Sequence, residues 1–309
     1  MKNFRIGCVQ ASPVLFNKKR TVEKMEAWIS RAADQNIKLL LFPESFVPGY
    51  PAGLGFGTVV GSRTDKGREQ FRELWENSVD VPGIETDRIG ELAKKYEMTI
   101  AVGVTERDAV SKTLYCTLLY FGPDGKLMGK HRKLKPTAAE RLIWGEGDGT
   151  TLSTFDTELG IIGGLICWEN YMPLARMAMY RKGVEIYLAP TADARDSWNS
   201  SMIHIAREGR CFVIGCNQII RKSDYPDHLR SEIAKDHPET LSRGGSVIVS
   251  PLGEVLAGPL YNSEGLLTAE YSEDKLVESK MDFDVLGHYS RDDVFTLLVK
   301  DQPDNKRRR

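Results

Sequence analysis

Residues 161–173 read IIGGLICWENYMP. The stretch begins apolar, with Ile161, Ile162, Leu165 and Ile166, as a buried parallel strand does. It turns polar at Cys167-Trp168-Glu169-Asn170, and Pro173 opens a helical run. Cys167 therefore stands at the carboxyl end of a strand and beside a helix start. Ligands in open α/β sheets bind at those strand ends, and a helix N-terminus favours a thiolate. On position alone the plain alternative stays open, that Cys167 is one more small buried residue.

The same alternation extends outward in both directions. Upstream, strands are expected at 4–10, 37–42, 99–105, 113–121 and 126–133, and helices at 21–33, 67–77 and 86–96. The first of these helices carries Val22, Met25, Ile29 and Ala32 at helical spacing, and Thr86 is the expected N-cap of the third. Residues 47–61, rich in glycine and proline, read as a long loop. Downstream, helices are expected at 174–182, 197–209 and 274–280, and strands at 185–189, 211–217 and 266–271. A hairpin is expected over 245–257. Two hairpins place a P-x-G turn after an apolar strand, YFGPDGKLMG and IVSPLGEVLAG, which hints at two similar halves. The fold class is α/β, a single domain over residues 1–300 with strands paired by hairpins as well as crossovers. Residues 301–309 form a basic tail, expected to be solvated and disordered.

The 309 residues are 41% apolar and 28% charged, with a net charge of −1. Such a balance suits a soluble globular protein and argues against a nucleic-acid partner, whose binder would be basic. No apolar run reaches membrane-spanning length, and no signal peptide opens the chain. Five cysteines, an odd number without a CxxC pair, point to a reduced, cytoplasmic protein with no structural metal and no cofactor.

Glu44 follows a buried strand and a proline. Lys133 ends the returning strand of the first hairpin, and Glu140 lies just beyond it. Each in isolation has an ordinary reading: a loop end for Glu44, a solvated basic run for Lys133, a surface helix start for Glu140. Together, LFPESFVPGYP around Glu44, HRKLKPTAAERLIWGEGDG around Lys133 and GGLICWENYMP around Cys167 resemble the nitrilase superfamily of carbon–nitrogen hydrolases. The likeness runs from about residue 4 to residue 271. CWENYMP resembles the true nitrilases and their cyanide-degrading relatives more than the amidase branches, which more often carry a tyrosine and an aspartate after the cysteine.

That resemblance implies a four-layer α-β-β-α sandwich. It makes Glu44 the general base, Lys133 the cationic stabiliser and Cys167 the nucleophile, with Glu140 as the family's second glutamate beside the lysine. It also implies a homo-oligomer, a dimer or a larger spiral assembly, acting on a small-molecule nitrile. The expected reaction takes the nitrile to its carboxylic acid and ammonia through a cysteine thioimidate and thioester. Cyanide dihydratase or hydratase and aliphatic amidase are the alternatives within the superfamily. Trp168, Tyr50 and Thr137 are the expected substrate contacts. Leu54 and Phe56 in the loop, with Tyr171 and Trp198, are further apolar candidates for a pocket suited to aliphatic or aryl nitriles.

The chemistry is consistent with these residue types. A nitrile carbon is a weak electrophile and needs a soft, strong nucleophile, which a cysteine supplies. Attack places negative charge on nitrogen, where a fixed cation is needed. Protons must reach that nitrogen, and a water must be deprotonated; one carboxyl that alternates between acid and base does both. A cysteine–histidine hydrolase is the nearest rival, yet none of the five histidines sits in a base motif. A nucleotide-binding module would need a glycine-rich loop that Gly103 and Gly163-Gly164 do not form.

Overall fold

The computed structural model describes residues 1–302. The expected basic tail lies, from residue 303 onward, outside the described residues. In chain order the elements are β1 (Asn3–Gln10), α1 (Lys18–Asp34), β2 (Ile37–Leu41), β3 (Thr58–Val59), β4 (Ser62–Arg63), α2 (Asp65–Asn77), α3 (Ile84–Lys95), β5 (Thr99–Arg107), β6 (Leu114–Phe121) and β7 (Leu127–Arg132). The second half continues with β8 (Thr154–Thr157), β9 (Gly160–Gly164), α4 (Pro173–Arg181), β10 (Ile186–Thr191), α5 (Asp196–Gly209), β11 (Phe212–Asn217) and β12 (Ile219–Arg221). It ends with α6 (Asp227–Arg230), β13 (Thr240–Val249), β14 (Val255–Tyr261), β15 (Gly265–Ser272) and α7 (Glu273–Ser279).

Two large sheets result, one ordered β15-β1-β2-β5-β6-β7, the other β12-β13-β11-β10-β9-β8 with β14 on β13, beside a two-stranded β3-β4 ribbon. Each has a parallel centre, β1-β2-β5 and β9-β10-β11, with antiparallel strands outside it. Helices α1 and α3 lie on the crossovers of the first centre, α4 and α5 on those of the second. The repeated P-x-G hairpins thus mark two halves of like construction, each adding antiparallel strands beyond its parallel core.

Period-two alternation sorts the strand side chains into layers. Ile6, Cys8, Leu39, Leu41 and Ala101 of the first sheet share one buried cluster with Ile186, Leu188, Phe212, Ile214 and Ile248 of the second. Their neighbours Leu40, Ile100, Val102 and Val104 instead meet Met25, Ile29, Ile89 and Leu92 of α1 and α3. Tyr187, Val213 and Val247 meet Met179 of α4 and Met202, Ile205 and Ala206 of α5. The layers therefore run helix, sheet, sheet, helix, the expected α-β-β-α sandwich. Strands buried on both faces read as continuous apolar runs, which is why they were legible.

Several boundaries differ from expectation. Thr86 is not the N-cap of α3. Gly83 takes that place, and the Thr86 hydroxyl reaches back to accept from the Gly83 N–H at 2.8 Å. Strand β8 was not foreseen, because TFDT is a short, largely polar edge pairing with β9. Strand β13 begins five residues before the expected 245–250 run, and Gly244 and Gly245 with positive φ interrupt its periodicity.

Gly103 in β5 shows how the fold sets the site. A Cβ there would lie 2.2 Å from the Pro43 carbonyl oxygen and 2.7 Å from the Glu44 Cα. Both are backbone atoms that cannot swing aside. Gly103→Ala is expected to cost about 1–3 kcal/mol and to displace the backbone of Glu44. Thermal unfolding should show a fall of several degrees, with a loss of turnover beyond that of an equally destabilised distant variant.

Candidate active site

Glu44 lies three residues past β2. Its segment is pinned by Phe42 N–H to the Ala101 carbonyl (2.8 Å), Gly103 N–H to the Pro43 carbonyl (3.1 Å) and the Gln218 side-chain amide to the Glu44 carbonyl (2.8 Å). Lys133 directly follows β7 and extends its pairing through Lys133 N–H to the Cys116 carbonyl at 2.8 Å. Both side chains belong to the first sheet. Cys167 belongs to the second, three residues beyond the Gly164 end of β9, where it opens a single 3-10 turn over Cys167–Tyr171. The strand ends that carry these side chains do not lie along the edge of one sheet. The residues come from two sheets that pack face to face.

Glu44, Lys133 and Cys167 are all buried. The Lys133 ammonium donates to Oε1 of Glu44 at 2.6 Å and to Oε2 of Glu140 at 2.7 Å. Glu140 is held in turn by the Tyr50 hydroxyl at 2.8 Å and the Thr137 backbone N–H at 2.7 Å. The Cys116 thiol donates to Oε1 of Glu44 at 3.5 Å. Oε2 of Glu44 is buried and takes no hydrogen bond from the described residues. The Thr191 hydroxyl donates to Sγ of Cys167 at 3.1 Å.

Two carboxylates share one ammonium in a dry setting, and the charge states follow from that. Burial raises the Glu44 pKa and the Glu140 charge raises it further, so Lys133 does not bring it back to the ordinary range. Burial opposes the Lys133 charge, but Glu44 and the thiols and carboxylate around it outweigh burial, and the ammonium persists well above its usual range. Burial and Glu44 raise the Cys167 thiol pKa more than Lys133 and the Thr191 hydroxyl lower it. Its resting form is the thiol. The helix start beside Cys167 is the short 3-10 turn that it opens, and α4 begins only at Pro173.

Each segment that carries one of these groups also carries a non-glycine residue at positive φ: Ser45 (47°), Ala138 (46°) and Cys167 itself (51°). Such backbone costs on the order of 1–3 kcal/mol per residue and persists where packing over-determines it.

The other expected contacts divide. Tyr50 packs its ring against Trp144 and directs its hydroxyl to Glu140. Thr137 acts through its backbone N–H. Trp168 is 39% exposed, its indole N–H donates to Asp193 at 2.9 Å, and the Arg195 guanidinium lies over its ring. The surroundings of Trp168 are therefore charged as well as apolar. Phe56 and Trp198 are core, and Leu54 packs against the central cluster.

Sequence reasoning singled out none of Cys116, Thr191 and Glu169 as parts of the site. A threonine closing the apolar run IYLAPT was the available signal for Thr191. Nothing in the sequence signalled that Glu169 would be buried. It accepts from the backbone N–H of Leu134 at 2.6 Å and of Ile166 at 2.7 Å, and it pairs with Nε2 of His131 at 3.0 Å. Nδ1 of His131 faces the Thr151 carbonyl at 3.1 Å. Both ring nitrogens are engaged, so His131 has none left to serve Cys167.

Comparison with known proteins agrees with this geometry. The carbon-nitrogen hydrolase family model matches residues 5–280. The chain is 49% identical over 308 residues to a bifunctional nitrilase/nitrile hydratase of Lupinus angustifolius, covering 97% of this chain and 87% of that one. It is 48% identical over 303 residues to an aliphatic nitrilase of Sinorhizobium fredii, covering 98% and 97%. The solved structure of Saccharomyces cerevisiae Nit3 superposes with a TM-score of 0.74 at 21% identity, over 93% of this chain and 97% of that one, a likeness of fold. The chain belongs to the carbon–nitrogen hydrolases of the nitrilase superfamily.

Proposed function

We propose that this protein is a nitrilase, hydrolysing an organic nitrile to its carboxylic acid and ammonia. The observation that carries the reading is the Lys133 ammonium, shared between Glu44 and Glu140 in a buried site that also holds the Cys167 thiol. The names of its relatives, nitrilases and a bifunctional nitrilase/nitrile hydratase, support it.

Glu44 is the general base. Oε1 is occupied by Lys133 and Cys116, and Oε2 is free to take the Cys167 proton as sulfur bonds to the nitrile carbon. The developing charge on nitrogen is met by Lys133, whose cation is fixed before the reaction begins. The thioimidate adds one water to give a tetrahedral carbon bearing nitrogen and sulfur. Loss of ammonia leaves the thioester, and a second water, deprotonated by Glu44, releases the acid and restores the thiol. Loss of sulfur from the same tetrahedral carbon releases the amide instead. Glu140 holds Lys133 in place, with Tyr50 and Thr137 supporting it, and Trp168 and Tyr50 bound the substrate space.

The chain is a homo-oligomer in this reading. Met202, Ile205 and Ala206 of α5 face the chain's own sheet. Exposed Leu174, Tyr289, Val294 and Phe295 on and beside α4 leave an apolar patch, and patches of this kind mark contact surfaces. The five buried, unpaired cysteines fit a reducing compartment such as the cytoplasm. Among the described residues no helix is long and apolar enough to cross a membrane.

Quenched turnovers with a nitrile should add substrate mass to the peptide that holds Cys167, and Cys167→Ala should fold normally and lose turnover. An adduct on another cysteine would remove the assignment. A panel of nitriles, hydrogen cyanide and matching amides decides between branches, and faster hydrolysis of the amides would make the protein an amidase. Because the Glu44 pKa is raised and its ionised form is the base, activity should fall as pH drops through a value above the ordinary glutamate range of about 4.3. A kcat/KM profile whose acid limb lies at or below that range would contradict the role. Light scattering at micromolar concentration should show dimers or larger species, and a monomer alone would refute the oligomer.

A further inference from the structure

The residues that must cooperate come from different sheets. Lys133 hangs from the end of β7, and Cys167 stands beyond the end of β9. Between them sits Glu169, buried with its partner His131. One carboxylate oxygen accepts from the N–H of Leu134, the residue after Lys133, and the other from the N–H of Ile166, the residue before Cys167. His131 bonds both oxygens and is itself tied to Thr151. Nδ1 of His131 faces a carbonyl and Nε2 a carboxylate; burial lowers the ring's pKa, and the Glu169 charge and hydrogen bonds outweigh it and hold it above its ordinary value. Burial and His131 act in opposite directions on the Glu169 carboxyl, and the charge and hydrogen bonds win, holding it ionised.

We infer that Glu169, locked by His131, is a positioning residue that sets the spacing between the Lys133 cation and the Cys167 thiol, an assignment that rests on Cys167 as nucleophile and Lys133 as the cation at nitrogen. A displacement of about 1 Å between reacting groups costs on the order of 10²-fold in rate. The carboxylate suits the task because its two oxygens meet two backbone donors at once. A glutamine has one accepting oxygen, and its NH₂ would oppose the other N–H. The spacing also bears on products. Ammonia leaves only when nitrogen is better protonated than sulfur, and Lys133 shifted away from nitrogen lets sulfur leave and releases the amide.

The test measures kcat, KM and the amide-to-acid product ratio for wild type, Glu169→Gln and Glu169→Asp on one nitrile at one pH. Aspartate keeps the charge for His131 but falls one methylene short of the two N–H groups. In each variant that folds, kcat should drop about 10–100-fold, KM should stay within about threefold, and the amide-to-acid ratio should rise about fivefold or more. Should the glutamine variant not fold, the aspartate variant decides. A product ratio within about twofold of wild type, whatever happens to stability or kcat, would mean that Glu169 is merely structural and overturns the inference. Mass spectrometry of wild-type turnovers run alongside separates the two levels. An adduct on Cys167 with an unmoved product ratio removes the positioning role alone, whereas an adduct elsewhere removes the nucleophile assignment and this inference with it.

Discussion

One ammonium held between two carboxylates, out of water, is the interaction on which the rest of the site depends. Desolvating three charged groups is expensive, and it is tolerated only where geometry and further hydrogen bonds compensate. Here the compensation comes from both directions: Tyr50 and the Thr137 N–H satisfy Glu140, and Cys116 satisfies part of Glu44. The cluster carries one cation against two carboxyls, and that imbalance keeps Glu44 ready to hold a proton. In the proposed mechanism a readily protonated base and a cation held above its usual range are complementary requirements, and a single ion triad meets both.

The two-sheet architecture explains why this triad can be placed at all. Strand ends of the first sheet deliver Glu44 and Lys133, and a strand end of the second delivers Cys167. The interior between them is the central apolar cluster, which excludes water from the charges. Ser45, Ala138 and Cys167 hold positive φ in the segments that carry Glu44, Glu140 and Cys167. The fold supplies dryness and rigidity.

The fold was legible because its strands are buried on both faces. IKLLLF and IIGGLI read as continuous apolar runs, and α1 and α5 carried helical periodicity, so class and element order followed from the chain alone. Polar edge pairing was not legible: TFDT in β8 has neither alternation nor an apolar run, and β13 hides its start behind two glycines. Of the site, Glu44, Lys133, Glu140 and Cys167 were marked by motifs that resemble a family. Cys116, Thr191 and Glu169 were not, because their parts in it depend on tertiary neighbours. A cysteine in an apolar strand looks the same whether or not a carboxylate faces it. A glutamate beside a tryptophan looks exposed until the backbone donors of two sheets are found around it.

The protonated resting state of Cys167 has a bearing on how long such a catalyst survives. Oxidants and adventitious electrophiles attack thiolates that they can reach. This thiol is 4% exposed and rests with its proton on. In the proposed mechanism its reactivity arises when a bound molecule brings an electrophilic carbon to sulfur and Glu44 takes the proton. In that mechanism the thiol keeps its proton until substrate arrives, and slow reaction with peroxide and alkylating agents is expected in the absence of substrate.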